Sequence, residues 1–161
     1  MAALVAAGAA LSFSQAAGAS GRIVWGWLAD RGLGAPRTLL LLCALMIAGT
    51  ITIPLLGRDT AHGWVIALLV VYGATAIGWN GVFLATVARA VPPERAGAIT
   101  GGTMVFTYCG VMVGPAVFGA IAAGYSFGTA FATLSLPLAG CLLALWRWQR
   151  AAQHRQPSAV D

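Results

Sequence analysis

Between Ala96 and Trp146 the chain runs for 51 residues without a charged side chain. As one helix this stretch would be about 76 Å long, against a bilayer hydrocarbon core of ~30 Å. It must therefore cross apolar surroundings twice and reverse between. The reversal falls at Ala123-Gly124-Tyr125-Ser126-Phe127-Gly128, where two glycines flank aromatic residues suited to the membrane interface. This predicts helices over 96–122 and 129–148. Composition supports the same class: 60% of residues are hydrophobic and 8% charged, where an average soluble domain carries roughly 25% charged residues.

Three further apolar runs precede this pair. Residues 1–21 carry no formal charge and approach the ~20 residues needed for a crossing. No basic residue precedes the run, which continues to residue 28, so a retained helix fits better than a cleaved leader. On this helix Ser12, Gln15, Ala19, Arg22 and Gly26 recur at steps of three and four. Such a polar, small-residue stripe should face protein or a water-filled cavity. The second run, 38–56, is apolar almost all round, and Pro54 lies near its far end. The third, 63–88, contains Asn80, an amide that needs a hydrogen-bond partner at membrane depth, with packing or solute contact both open. Asn80 is neighboured by Trp79 and by Gly78 and Gly81, which permit close backbone approach. These runs predict an all-α integral membrane protein of about five transmembrane helices, ending in a polar tail over 149–161.

All nine basic residues are arginine. Five crossings put Arg31, Arg37, Arg89, Arg95, Arg147, Arg150 and Arg155 on one side, with Arg22 near it, and only Arg58 on the other. The positive-inside rule makes the crowded side cytoplasmic, with the amino terminus outside and the carboxy terminus inside. The arginines are scattered singly between apolar runs, so the net charge of +5 records topology rather than a nucleic-acid-binding face. His62, beside Arg58 and Asp59, reads as a solvated loop residue. Cys43, Cys109 and Cys141 lie within apolar runs at no metal-ligand or redox spacing, so neither metal nor cofactor is expected.

The first turn reads Gly26, three residues, Asp30-Arg31, then Gly34 and Arg37. Gly26 offers a neighbouring helix close approach one turn before the acid, and the acid can reach a helix N-terminus. This spacing resembles the signature loop of the major facilitator superfamily of secondary transporters. That loop joins the second and third helices of each six-helix half on the cytoplasmic side. The match departs at Ala35-Pro36, where a second basic residue is common. Two further stretches carry the resemblance. Arg89 to Gly97, with Pro92-Pro93 and then Glu94-Arg95-Ala96-Gly97, is similar to the link between the fourth and fifth helices of a half. Gly114-Pro115 followed by Gly119 is similar to the pattern that bends a pore-lining helix, while Gly97 with Gly101 and Gly110 with Gly114 suit tight crossings.

The resemblance identifies the five spans with helices two to six of a half, and the arginine-bearing tail favours the carboxy-terminal half, lacking its first helix. It implies transport of a small-molecule solute by alternating access about a midplane site between two halves. The partners implied are the lipid bilayer, the solute and an amino-terminal half, separately encoded if present. This chain alone is then not transport-competent. Arg22, Gly26, Asp30, Arg31, Gly34 and Arg37 would form the gating loop. By the family's pseudo-symmetry Asp30 would meet the fifth helix of the other half, leaving it without a partner in this chain. Cavity-lining positions would be Gln15, Trp79, Asn80, Thr103, Thr107 and Tyr108, with Gly110, Gly114 and Pro115 bending or packing their helix. Location in the cell (inner) membrane follows. A small membrane assembly or regulatory subunit is the alternative. Enzymatic hydrolysis is not expected, since Gly-x-Ser-x-Gly, His-Glu-x-x-His and paired aspartates within the spans are all lacking.

Overall fold

The computed structural model describes residues 2–57 and 60–154, and among these it forms five α-helices and no strand. They are α1 (Ala2–Leu28), α2 (Ala35–Thr52), α3 (His62–Arg89), α4 (Pro93–Gly124) and α5 (Phe127–His154). Among the described residues, four segments, Ala35–Leu55, Gly63–Arg89, Pro93–Gly124 and Phe127–Ala152, are long and apolar enough to cross a membrane. The chain is an all-α membrane protein. α1 has comparable length, 27 residues, and carries Ser12, Ser14, Gln15, Ser20 and Arg22.

Local chemistry sets the helix ends. Between α1 and α2 a single π-helical turn, Ala29–Leu33, leads to Gly34, whose φ of 77° suits a residue without a Cβ. Thr38 closes the start of α2, donating both its N–H (3.1 Å) and its Oγ1–H (2.9 Å) to the Gly34 carbonyl. At the far end, Pro54 sits in a short 3₁₀ turn, Ile53–Leu55. α4 starts at Pro93, three residues before the expected 96, because proline fits a helical first turn whose N–H has no partner anyway. The α4–α5 link is only Tyr125-Ser126, and Ser126 Oγ accepts the Thr129 N–H at 3.0 Å, so α5 starts at Phe127. Phe118, Phe127 and Phe131 close this turn with centroid separations of 5.0 to 5.6 Å. α5 continues past 148 to His154, so part of the expected tail is helical; residues 155–161 lie outside the described structure, as do Arg58 and Asp59.

The helices are held together by close approach rather than by a large core. α1 packs most extensively on α3, α3 on α2 and α2 on α5, while α4 leans on α3 and α5. At the α1–α3 crossing Gly18 faces Ile77, Gly21 faces the Ala74 backbone, Gly73 faces Ser14, and Gly78 faces Trp25. A Cβ at Gly21 would stand 2.5 Å from the Ala74 carbonyl oxygen, so this position does not tolerate a side chain without the helices parting. Two hydrogen bonds cross the same seam, Ser14 Oγ to the Leu69 carbonyl (3.2 Å) and Trp25 Nε1 to the Ala74 carbonyl (3.1 Å). The interface stripe of α1 is therefore Ser14, Gly18, Gly21 and Trp25; of the expected Ser12, Gln15, Ala19, Arg22 and Gly26, Arg22 joins it through its backbone, which meets Gly81. Of that expected stripe, all but half-buried Gly26 are exposed. Between α2 and α3, Gly49 similarly receives the ring of Tyr72.

Buried hydroxyls are satisfied within their own helices. Thr50 Oγ1 donates to the Ile47 carbonyl (2.8 Å) and Thr75 Oγ1 to the Tyr72 carbonyl (2.8 Å), so their burial leaves no orphan polar group. The α1–α3 crossing generates a direct expectation. Gly21→Ala should destabilise the fold by about 1–3 kcal/mol, the usual range for overpacking. Gly110→Ala, where no described atom lies within 4 Å of the new Cβ, should not. Helix content followed through an SDS titration in mild detergent compares the two; equal midpoints would remove the crossing from its central place.

Candidate functional site

The chemistry-bearing part of the molecule is the end where α1 finishes, α2 begins and α3 finishes. The α1–α3 crossing aligns the two helices so that the turn after α1 lies beside the last residue of α3. Asp30 there accepts from Arg89 through both carboxylate oxygens, Nη1 to Oδ1 at 2.8 Å and Nη2 to Oδ2 at 3.4 Å. This corrects the expectation that Asp30 has no partner within the chain. The side chains of Arg89 and Asp30 are 66% and 52% exposed, so water screens the pair and it serves as a geometric link more than a source of stability. The hydrogen bond from Arg89, followed by its positive charge, holds the Asp30 carboxyl below its ordinary value of 3.8.

The other loop residues take distinct places. Gly26 borders a small cavity of about 30 Å³ with Asp30, Thr86 and Arg89, room for a water molecule beneath the ion pair. No described atom comes within 4 Å of a Cβ built on Gly26, so the close approach expected there is made by Gly18 and Gly21 instead. Arg31 turns back over the Trp27 ring at 5.5 Å. Gly34 provides the positive φ from which α2 starts, and Arg37 lines a cleft with Trp148 and Gln149. Arg22 is exposed, while its backbone carbonyl approaches Gly81, whose Cβ would stand 3.1 Å away. Asp30, Gly26 and Arg89 are thus brought together; Arg22, Arg31 and Arg37 point elsewhere.

The cavity-lining candidates divide similarly. Gln15 and Tyr108 are exposed, on α1 and α4. Trp79 instead borders an apolar cavity of about 520 Å³ between α2, α3 and α5, with Leu42, Met46 and Leu145, and meets Phe83 at a tilt of 55° with ring centroids 5.5 Å apart. Thr103 and Thr107 donate to the Thr100 and Thr103 carbonyls of their own helix, at 2.8 and 3.4 Å, so their polarity is discharged within α4. Asn80 Oδ1 is buried without a partner among the described residues, leaving its requirement open. α4 runs unbroken through Pro115, and no described atom lies within 4 Å of a Cβ built on Gly97, Gly101, Gly110 or Gly114. The tight crossings expected of these glycines are not made among the described residues.

Arg89 is the functional residue that pattern reading missed, although a signal existed: it ends an apolar run on the same side as Asp30. The depressed carboxyl fixes the sign of the pH response. The link is present above the ordinary carboxylate value and is lost as pH falls through the lower folded value. Amide-exchange protection of residues 29–34 should therefore hold across neutral pH and drop only below about pH 3.8. Asp30→Asn should lower it already at neutral pH. Unchanged protection in Asp30→Asn would mean that the turn stands without the pair.

The family description Major Facilitator Superfamily matches residues 1–109, from the start of the chain to Cys109 within α4. No curated protein and no solved structure matches the chain. The match spans α1, the Asp30 turn, α2, α3 and the paired-proline link, which are the elements that build the site described above. With more than half its length covered, this chain belongs to the major facilitator superfamily, a family of membrane transporters.

Proposed function

We propose that this chain supplies five helices to a secondary transporter that moves a small solute by alternating access, and that it transports nothing without further helices. The observation that carries this reading is α4. It is 32 residues long and apolar, yet among the described residues none of it is buried, and its glycines face no neighbour. Phe106 is 81% exposed and Met112 80% exposed on the same helix. Small residues at helical spacing serve close crossings in membranes, where apolar surface alone drives little association. A partner helix on this side supports the pairing of two bundles about a midplane site.

The open side of α1 and α4, carrying Gln15, Tyr108 and the half-buried Thr103 and Thr107, then faces the solute path, with Asn80 behind it on α3. Asp30 and Arg89 at the cytoplasmic end couple the α1–α2 turn to α3, so that these helices move as one body when the halves rock. The amino terminus lies outside the cell membrane and the Asp30 turn inside, in keeping with the arginine distribution. The further helices would include an amino-terminal half, in the same polypeptide or separately encoded.

Two measurements test the proposal. Proteoliposomes containing only these 161 residues should show no solute accumulation beyond empty vesicles; robust uptake would defeat the need for additional helices. Single cysteines replacing Gly32 and Thr60, in a chain without its three natural cysteines, should react with impermeant reagents from the inside and outside of the cell respectively. The reverse pattern would remove the transport orientation.

A further inference from the structure

Cys43 and Cys141 lie 98 residues apart in the sequence, yet both line the apolar cavity of about 520 Å³ between α2, α3 and α5. Their spacing matches no metal motif; the fold brings them together by register. α2 and α5 pack side by side. At one end a Cβ on Gly128 would stand 3.7 Å from Pro54 Cβ, and at the other Arg37 shares a cleft with Trp148 and Gln149, so the two helices are antiparallel. Cys43 lies eleven residues before Pro54 and Cys141 thirteen after Gly128. At about 1.5 Å per residue the two stand within about 3 Å of one level, near the middle of each helix.

The lining side chains offer little else to a ligand. They are leucine, alanine, phenylalanine, tryptophan, Cys43, Met46 and Cys141, with no carboxylate, imidazole, amide or hydroxyl group among them. An indole N–H only donates, so the three sulfurs are the sole lone-pair donors among these side chains. Met46 follows Cys43 by three residues and so shares its face of α2. Both cysteines are free thiols, and Cys43 lies within electrostatic reach of Cys141. Cys43 and Met46 are buried at 8% and 9% exposure, whereas Cys141 is exposed and gives the set an entry from outside.

We propose that this thiol pair, with the Met46 thioether, binds one soft monovalent metal ion, Cu(I), at membrane depth. The donor set selects the ion: thiolate and thioether sulfur suit Cu(I), which accepts few ligands. Zinc takes four ligands in a tetrahedron, more than these side chains supply. Binding forms Cu–S bonds to both cysteine sulfurs and displaces one proton, from the exposed Cys141 thiol, to the solvent; the copper stays monovalent. One thiolate then balances one cation, so the apolar cavity carries no net charge. An apolar molecule filling the same volume would gain nothing from two thiols held at one level. The inference requires only the pairing of α2 with α5, not that the chain transports.

Anaerobic titration of the full chain in detergent with the coloured Cu(I)–bicinchoninate complex tests it. Each chain should withdraw one Cu(I) and release one proton, and excess Zn(II) should not displace the copper. Cys141→Ser and Cys43→Ser should each abolish the withdrawal, and Met46→Leu should weaken it without abolishing it. Cys109→Ser, on α4 and outside the cavity lining, should leave it unchanged. No withdrawal by the unmodified chain, withdrawal undiminished in Cys141→Ser or Met46→Leu, displacement by Zn(II), or one ion shared between two chains would each overturn the proposal. Cys141 is exposed, so its serine variant decides the matter even if Cys43→Ser fails to fold.

Discussion

Everything at the functional end of the molecule depends on how closely two backbones approach. In hydrocarbon, burying one apolar side chain against another gains little over burying it against lipid, so contact distance and hydrogen bonding decide which helices pair. α1 and α3 meet where Gly18, Gly21, Gly73, Gly78 and Gly81 remove side chains from the crossing. Ser14 and Trp25 then use the gained proximity to reach carbonyls on α3. A helix with as many polar residues as α1 is tolerable at membrane depth because this seam takes up some of them.

From that seam the geometry of the loop follows by length alone. Once the Arg22 backbone is fixed beside Gly81, each helix has eight residues left, α1 with its following turn to Asp30 and α3 to Arg89. The two residues arrive at the same end of the bundle, where a bidentate contact closes the turn. The π-helical widening at Ala29–Leu33 and the positive φ of Gly34 then let the chain reverse into α2. An exposed ion pair contributes little to stability, but it registers the α1–α2 turn against α3.

How much of this could be read beforehand has a physical limit. The family, the helical class and the link residues were legible because charge, proline and glycine mark where a chain leaves an apolar medium. Helix faces were not. In a soluble protein the hydrophobic stripe points inward, whereas in a membrane lipid and protein interior are equally apolar and the pattern loses its direction. Polar residues were therefore the available guide, and on α1 they led to Ser12, Gln15 and Ala19, while the true contact face holds Ser14, Gly18 and Gly21. Asp30 was assigned a distant partner for a related reason. Its place in a family-like loop was legible, but its contact lies 59 residues away and depends on a crossing no local pattern displays.

Polar accounting also explains why the unresolved demands of the structure sit where they do. The threonines of α2, α3 and α4 return their hydroxyls to their own backbone, which costs no partner and leaves the helices free to slide or rock. Asn80 and Gln149 have no such recourse, since an amide group cannot satisfy itself against the preceding turn with both its donor and its acceptor ends. Each must be met from outside its helix. Asn80 lies on α3 next to Gly81, whose close approach to the Arg22 backbone places it beside the α1 seam. Gln149 lies near the end of α5, where it lines a cleft with Arg37 and Trp148. One sequence of helices thus presents two different unsatisfied requirements, one within α3 and one near the end of α5.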